Sequence, residues 1–151
     1  MKRLALVALV LVMACGSDKD SPTGPNGSGS VTAMIDGAAF SADLAVQATR
    51  SGNLLSFGAV TSTSRQINFA LPNVTGTGTV QLGGGAPATV TYTEGTRGWV
   101  TSLVGGSGSV NITTLTANRA AGTFSFTAIP SASTGATGNK VVTNGTFDVK
   151  F

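Results

Sequence analysis

The sequence has no histidine, a single cysteine and few charged side chains, which make up 10% of its 151 residues. The absence of histidine excludes Ser-His-Asp and Cys-His catalysis and the common zinc sites, and it removes the side chain best suited to proton transfer near neutral pH. A single cysteine excludes an intramolecular disulfide. Soluble domains usually contain about 25% charged residues, so the surface of this chain must consist largely of uncharged polar side chains.

The charge is also unevenly distributed along the chain. Nine Lys and Arg against six Asp and Glu give a formal net charge of +3. Lys2 and Arg3 lie in the first 14 residues, which contain no acidic side chain, so the rest of the chain is nearly neutral. A nearly neutral domain offers no basic stripe that could contact phosphates. The sequence therefore argues against nucleic acid as a partner.

The N-terminus has the pattern of a targeting signal, because Lys2 and Arg3 precede an unbroken apolar run at residues 4–14. A helix of that run would span roughly 16 Å, which is too short for the ~30 Å hydrocarbon core of a bilayer. The run therefore fits a secretory signal peptide and not a transmembrane helix. It ends in Val12-Met13-Ala14-Cys15, which resembles the lipobox of bacterial lipoproteins.

The lipobox resemblance implies cleavage between Ala14 and Cys15, after which Cys15 carries a diacylglyceryl thioether and fatty acyl chains such as palmitate. The residues alone also allow an ordinary signal peptide with an incidental cysteine, or a buried free thiol. Several acyl chains, at ~0.8 kcal/mol per buried methylene, anchor a protein stably to a membrane. We expect this covalent lipid to be the only attached group, with no other cofactor and no metal.

The residues after Cys15 bear on the destination of the chain. Gly16, rather than aspartate, follows the cysteine, which by the same resemblance implies the outer membrane. The periplasmic side and the cell surface both stay open, because Asp18-Lys19-Asp20 fits either a surface-targeting signal or a solvated linker. Residues 16–30 carry no apolar side chain except proline and cannot form a core.

Three segments follow from these patterns. We predict a signal peptide at residues 1–14, a lipidated flexible Gly/Ser/Pro linker at 15–30 and one domain at 31–151. In the domain, short alternating apolar runs are separated by Gly, Asn, Asp and Pro, which predicts strands and no helices. The fold class is therefore all-β, as a single antiparallel β-sandwich or a flattened meander barrel of about nine or ten short strands. The predicted strands are 31–35, 38–46, 54–61, 65–71, 79–82, 89–93, 99–104, 109–115, 123–129 and 146–151.

Two local patterns refine this prediction. Asp36-Gly37 favours a type I′ hairpin, because both central residues of that turn need a positive φ. Residues 140–143 form either a separate short strand or the start of the last one, and Asn144-Gly145 is either a turn or a β-bulge. A glycine followed by a hydroxyl residue and alternating apolar and polar residues recurs at Gly78, Gly108, Gly122 and Gly145. We expect the residues two and four positions after each glycine to enter the core.

The second half of the chain carries a family likeness. The segments G-S-V-N-I-T from Gly108, G-T-F-S-F-T-A from Gly122 and N-G-T-F-D-V from Asn144 resemble a family of uncharacterised envelope lipoproteins of Gram-negative bacteria. I-D-G-A-A-F at residues 35–40 is similar to the opening hairpin of that family, with Phe40 where tryptophan is common. The resemblance implies an antiparallel β domain behind a lipidated cysteine, with no established activity and no catalytic residues to transfer.

One candidate ligand-binding site stands out, formed by Tyr92, Arg97 and Trp99 around the turn at residues 94–96. An aromatic face beside a guanidinium could stack on a sugar or a small apolar ligand. In the alternative, Trp99 packs in the core across from Tyr92, with Arg97 in water. Of the four acidic residues of the predicted domain, Asp36 is explained by its turn, and Asp43, Glu94 and Asp148 lie far apart in sequence. The chain thus lacks the pattern of a paired-carboxylate hydrolase, and we predict no catalytic residues.

The sequence thus predicts a lipid-anchored envelope protein of unknown biochemical activity. We expect a non-catalytic structural or accessory role in the outer membrane, not an enzyme. The alternative is a binding module for a glycan or a small apolar ligand at Tyr92, Arg97 and Trp99. The expected partners are the membrane, through the lipid, and an envelope protein or a glycan.

Overall fold

The computed structural model describes residues 29–102 and 104–151. The predicted signal peptide, Cys15 and the predicted linker up to residue 28 lie outside the described residues. Within those residues every helix or strand is a β-strand, which confirms the all-β prediction. No helix that is long and apolar enough to cross a membrane occurs in the described ranges.

Eleven strands follow one another along the described chain, one more than the upper predicted number. They are β1 (Gly29–Ile35), β2 (Ala38–Ser41), β3 (Ala45–Ser51), β4 (Leu54–Val60), β5 (Arg65–Leu71), β6 (Gly78–Gly83), β7 (Thr89–Glu94), β8 (Arg97–Thr101), β9 (Ser107–Leu115), β10 (Arg119–Pro130) and β11 (Lys140–Lys150). All of their pairings are antiparallel.

The strands form one hydrogen-bonded system with a branch at β10. The main path runs β2-β1-β11-β10-β8-β7-β5-β4-β3, while β9 pairs with β10 and β6 pairs with β9. Only Ile129 and Pro130, at the end of β10, pair with β8. We therefore distinguish sheet A, in the order β2-β1-β11-β10-β9-β6, from sheet B, in the order β8-β7-β5-β4-β3.

The curled sheet places the inner faces of sheets A and B against each other. Phe57 of β4 stacks on Phe147 of β11 with 4.7 Å between ring centroids. Phe69 of β5 meets Phe124 and Phe126 of β10 edge-on, at 4.9 and 6.3 Å. All five rings are buried. Aromatic pairs in such geometries contribute about 0.5–1.5 kcal/mol beyond the area that they bury, so these rings stabilise the packing of one sheet on the other.

The turn between β1 and β2 is the predicted type I′ hairpin. Ile35 pairs with Ala38, which leaves a loop of two residues. Asp36 has a φ of 48° and Gly37 a φ of 81°, as this turn requires. The backbone N–H of Asp36 also donates to the carbonyl of Val141 at 2.9 Å, so a hydrogen bond joins the hairpin to the start of β11.

The last strand is continuous from Lys140 to Lys150, and Asn144-Gly145 is a β-bulge within it. Both neighbouring strands show one extra residue in β11 at this point. Asn144 has a φ of 52°, which asparagine tolerates better than most residues. A Cβ on Gly145 would collide with the ring of Phe124. These observations settle both alternatives that the sequence left open.

Several predicted strand boundaries are wrong: β10 begins at Arg119 and not at residue 123, and two further errors concern chain reversals. The run at residues 38–46 is divided into β2 and β3 around Asp43, whose carboxylate accepts hydrogen bonds from the backbone N–H and the hydroxyl of Ser62 at 2.6 and 2.7 Å. β8 ends at Thr101 and not at residue 104, because Ser102 and Gly105 hydrogen-bond to each other in a tight turn. The first reversal has no Gly or Pro cluster that would mark it in the sequence, whereas Gly105 and Gly106 do mark the second.

The recurrent glycine pattern places its apolar residues as predicted. The residues two and four positions after Gly108, Gly122 and Gly145 are all buried. After Gly78, Leu82 is buried while Val80 is half-buried. Val80 is more exposed because β6 pairs with only one neighbour, β9.

Candidate functional site

The three residues of the predicted ligand site occupy two different environments. Tyr92 and Trp99 lie directly opposite each other on β7 and β8, and they are 1% and 2% exposed. Their ring centroids are 5.7 Å apart. Arg97 is exposed and lies opposite Glu94 at the start of β8. The structure thus brings the two rings together in the core and leaves the guanidinium in water, which is the arrangement of the packing alternative.

Lys140 and the chain before it cover Trp99. The Lys140 Nζ lies 5.0 Å from the centroid of the indole, within the range of a cation–π interaction. The indole Nε1–H donates to the carbonyl of Gly138 at 2.8 Å. The same ammonium contacts the carboxylates of Asp36 at 2.9 Å and Glu94 at 3.7 Å. We call this group of side chains the Trp99 cluster. It consists of Asp36, Glu94, Trp99 and Lys140, with Tyr92, Arg65 and Phe40 beneath them.

Arg65 connects the two sheets within this cluster. Its Nε–H donates to the hydroxyl of Tyr92 at 3.2 Å, and its Nη1–H donates to the carbonyl of Ala39 at 2.9 Å. Its guanidinium carbon lies 5.4 Å from the centre of the buried Phe40 ring. One side chain of β5 therefore satisfies the phenol of β7 and a backbone carbonyl of β2.

The electrostatics of the cluster favour ionised, paired groups. The hydrogen bond from the Val141 backbone N–H and the contact with Lys140 lower the pKa of Asp36. The hydrogen bond to Asp36 raises the pKa of Lys140, with a smaller contribution from Glu94. A carboxyl group that acts as a general acid needs a raised pKa, whereas Asp36 is held as an anion. The cluster thus pairs charges at this end of the domain.

The outer face of sheet A carries a row of uncharged polar side chains in direct register across six strands. In strand order the row consists of Ser41, Thr32, Thr146, Thr123, Asn111 and Thr79. All six side chains are exposed, and the hydroxyls of Thr32 and Thr146 lie 2.8 Å apart. With about 4.8 Å between neighbouring strands, this row, which we call the hydroxyl row, is roughly 24 Å long.

A hollow interrupts this face beside the hydroxyl row. It has a volume of about 480 Å³ and is lined by Phe124 and Gly145. Its polar lining is Ser109, Asn111, Thr123, Ser125, Asn144 and Thr146. The hollow therefore lies beside the bulge in β11 and is bordered mostly by uncharged polar side chains.

The outer face of sheet B is similar in chemistry. Gln47, Gly58, Asn68 and Thr91 follow one another across four strands, around an open hollow of about 380 Å³. The Asn68 side chain lies over Gly58, and its Oδ1 accepts a hydrogen bond from Gln66 Nε2 at 2.9 Å. No charged side chain belongs to this row, so both rows offer hydrogen bonds without fixed charge.

Residues 27–149 match one protein family, described as a domain of unknown function, DUF6252. The chain belongs to the DUF6252 family. No curated protein and no solved structure matches the chain. The DUF6252 match starts two residues before β1 and ends within β11, so it spans the same residues as the β fold.

Sequence reasoning missed two features of the DUF6252 domain. It did not find Lys140 above Trp99, because the two residues are distant in sequence and meet only through the pairing of β10 with β8 and β11. It also did not find the hydroxyl row. Alternation places each polar residue on the outer face of its own strand, but the row depends on the register between strands.

Proposed function

We propose that the protein is a lipid-anchored component of the bacterial outer membrane with a non-catalytic structural or accessory role. The lipobox-like sequence ending at Cys15 supports the anchor and the location. The hydroxyl row is the observation that carries the accessory role. Interface cores are depleted of charged residues, because removing a charged group from water costs more free energy than removing a hydroxyl does. An exposed, uncharged face of this width suits contact with another envelope component.

The anchor is tested by labelling cells with a radioactive or clickable fatty acid. The wild-type chain should incorporate the label and fractionate with outer membranes. Cys15→Ala should stay unlabelled and keep its signal peptide, whereas Ser17→Ala, two residues further along, should behave as wild type. A labelled Cys15→Ala chain, or an unlabelled wild-type chain, would refute lipidation at this position.

The accessory role is tested by a photo-crosslinking amino acid at Thr123, in the middle of the hydroxyl row. In cells we expect a crosslinked product of one defined mass that disappears when the chain is overproduced beyond its partner. The same amino acid at the exposed Ser133, in the loop between β10 and β11, serves as the control. Absence of a defined product at Thr123, or the same product at both positions, would argue against a role for this face.

The alternative is a binding module for a glycan or a small apolar ligand at Tyr92, Arg97 and Trp99. Both rings are buried, Lys140 lies over the indole, and the indole N–H already donates to the carbonyl of Gly138. Binding there would require the chain that leads into β11 to move away. The uncharged outer faces need no such movement, so they support the accessory role better.

A further inference from the structure

The sheet system has three terminal strands, β2, β3 and β6. A terminal strand presents a row of backbone N–H and C=O groups to which another strand can add. Proteins prevent such addition with very short strands, with charged side chains or proline at the edge, or by covering the edge. The three terminal strands of this domain differ in these protections.

Both β2 and β3 are protected. β2 has only four residues, and the carbonyl of Ala39 within it accepts a hydrogen bond from Arg65. β3 lies beside β1 and β11 of sheet A. It also carries Arg50, whose guanidinium donates to the carbonyl of Thr116 at 3.2 Å. Addition of a further strand to either edge would have to displace an arginine.

β6 has neither charge nor proline, although it lies beside β7 of sheet B. Its six residues read G-T-V-Q-L-G, and it pairs only with β9 among the described strands. The sequence has no charged residue between Arg65 and Glu94, and β9 has none either. Thr79 and Gln81 are exposed on the outer face, and Val80 is half-buried.

We propose that β6 pairs with β6 of a second copy of the chain, in an antiparallel and two-fold symmetric dimer. A strand that pairs antiparallel with itself has one residue opposite its own copy, and the remaining residues face one another in matching pairs. Any charged residue near that point would meet a like charge, which destabilises strand pairing. The lack of charge along β6 therefore means that no like charges meet at the two-fold axis in any register, whereas an edge made for a foreign strand could carry charges complementary to it.

The side-chain pattern of β6 also fits self-pairing. The two-fold axis would be perpendicular to the sheet, so the outer face of one copy continues into the outer face of the other. Thr79 and Gln81 then extend the hydroxyl row, while Val80 and Leu82 extend the inner face. The pairing itself does not depend on the lipid anchor, although confinement of anchored copies to one membrane would raise their local concentration.

Cysteine crosslinking of the full chain in its native membrane tests this proposal. Directly opposite residues in antiparallel strands have Cα atoms about 4.5–5.5 Å apart, within the range of a disulfide. Thr79→Cys, Val80→Cys and Gln81→Cys, made singly and oxidised, should include at least one variant that gives a covalent dimer. The wild-type chain, which has only Cys15, and Thr123→Cys, two strands away on the same face, should give none.

Introduced charge provides a second test that does not depend on crosslinking geometry. The purified wild-type chain in mild detergent should have the molar mass of two chains by light scattering. Thr79→Lys combined with Gln81→Lys should reduce the mass to one chain while leaving the circular dichroism spectrum unchanged. Thr123→Lys should leave the dimer intact. A monomeric wild-type chain, a dimer that persists with both lysines, or crosslinking of β6 to a different protein would each overturn the proposal.

Discussion

At the scale of single residues, steric restriction determines the residue type at Gly145, whereas hydrogen bonds and an ion pair determine it at Asp36. Gly145 is required by space, because the ring of Phe124 occupies the position of a side chain. Asp36 is required by its bonds, because it accepts from the Val141 N–H at 2.9 Å and pairs with Lys140. The sequence predicted Asp36 as a turn residue, but its partners on β11 depend on strand pairing that no local pattern reveals.

Gly145→Ala tests the demand for space. The added methyl group must displace a buried ring, so we expect a loss of about 1–3 kcal/mol in the free energy of unfolding. Gly76→Ala is the matched control, because a Cβ there meets nothing within 4 Å and its φ is not in the left-handed region. Urea unfolding measures both variants. Equal stability of the two variants would contradict the packing of Phe124 under Gly145.

The Asp36–Lys140 pair predicts a defined dependence of stability on pH. The pKa of Asp36 is lowered from 3.8 in the folded state, so its contribution is present above that value and is lost as the pH falls through the folded pKa. The pKa of Lys140 is raised from 10.5, so its contribution is present below that value and is lost as the pH rises through the folded pKa. The Asp36 side chain is 43% exposed, so solvent screens the pair and limits the effect to at most about 1 kcal/mol.

Asp36→Asn should therefore destabilise the protein near neutral pH and have a smaller effect at about pH 3, where the carboxylate of the unfolded wild-type chain is largely protonated and the contribution of the ion pair is falling. Urea unfolding at the two pH values measures this, and added salt should reduce the difference. An equal loss of stability at both pH values would assign the effect to the hairpin geometry and not to the ion pair.

At the scale of elements, the alternation of apolar and polar residues predicted the strands. The register between paired strands determined which side chains lie next to each other. β5 matches its prediction because Ile67, Phe69 and Leu71 alternate inward and Pro72 follows. The break between β2 and β3 was missed because Asp43 caps a reversal within an otherwise apolar run. The pairing of Tyr92 with Trp99 could be read from one hairpin. The hydroxyl row spans six strands, and its register depends on turns and bulges that are distant in sequence.

The packing of sheet A on sheet B is tested by the Phe57–Phe147 pair. Phe57→Leu and Phe147→Leu, made singly and together, should show a coupling of about 0.5–1.5 kcal/mol in the free energy of unfolding. Phe57→Leu combined with Phe151→Leu is the control, because Phe151 is only half-buried and lies outside the strands. Strict additivity of the Phe57 and Phe147 variants would mean that the two sheets do not meet through these rings.

At the scale of the whole molecule, charge is concentrated at the two ends and absent from the hydroxyl row between them. Arg119 and Asp148 form a two-bonded pair at 2.7 and 2.6 Å near the start of β1, and each shifts the pKa of the other toward the charged form. The Trp99 cluster pairs charges at the opposite end. The outer faces between these ends are the broad uncharged surfaces, and so they are the surfaces on which the proposed accessory role rests.

The central claim is that the aromatic pair belongs to the core and that the outer faces are the surfaces available to partners. Trp99 is the only tryptophan, so its emission in the full chain, with and without acrylamide as a soluble quencher, tests this claim most directly. We predict blue-shifted emission with little quenching until urea unfolds the domain. Red-shifted emission that is strongly quenched in the folded chain would contradict the account, because it would place an exposed indole beside Arg97 as a binding site.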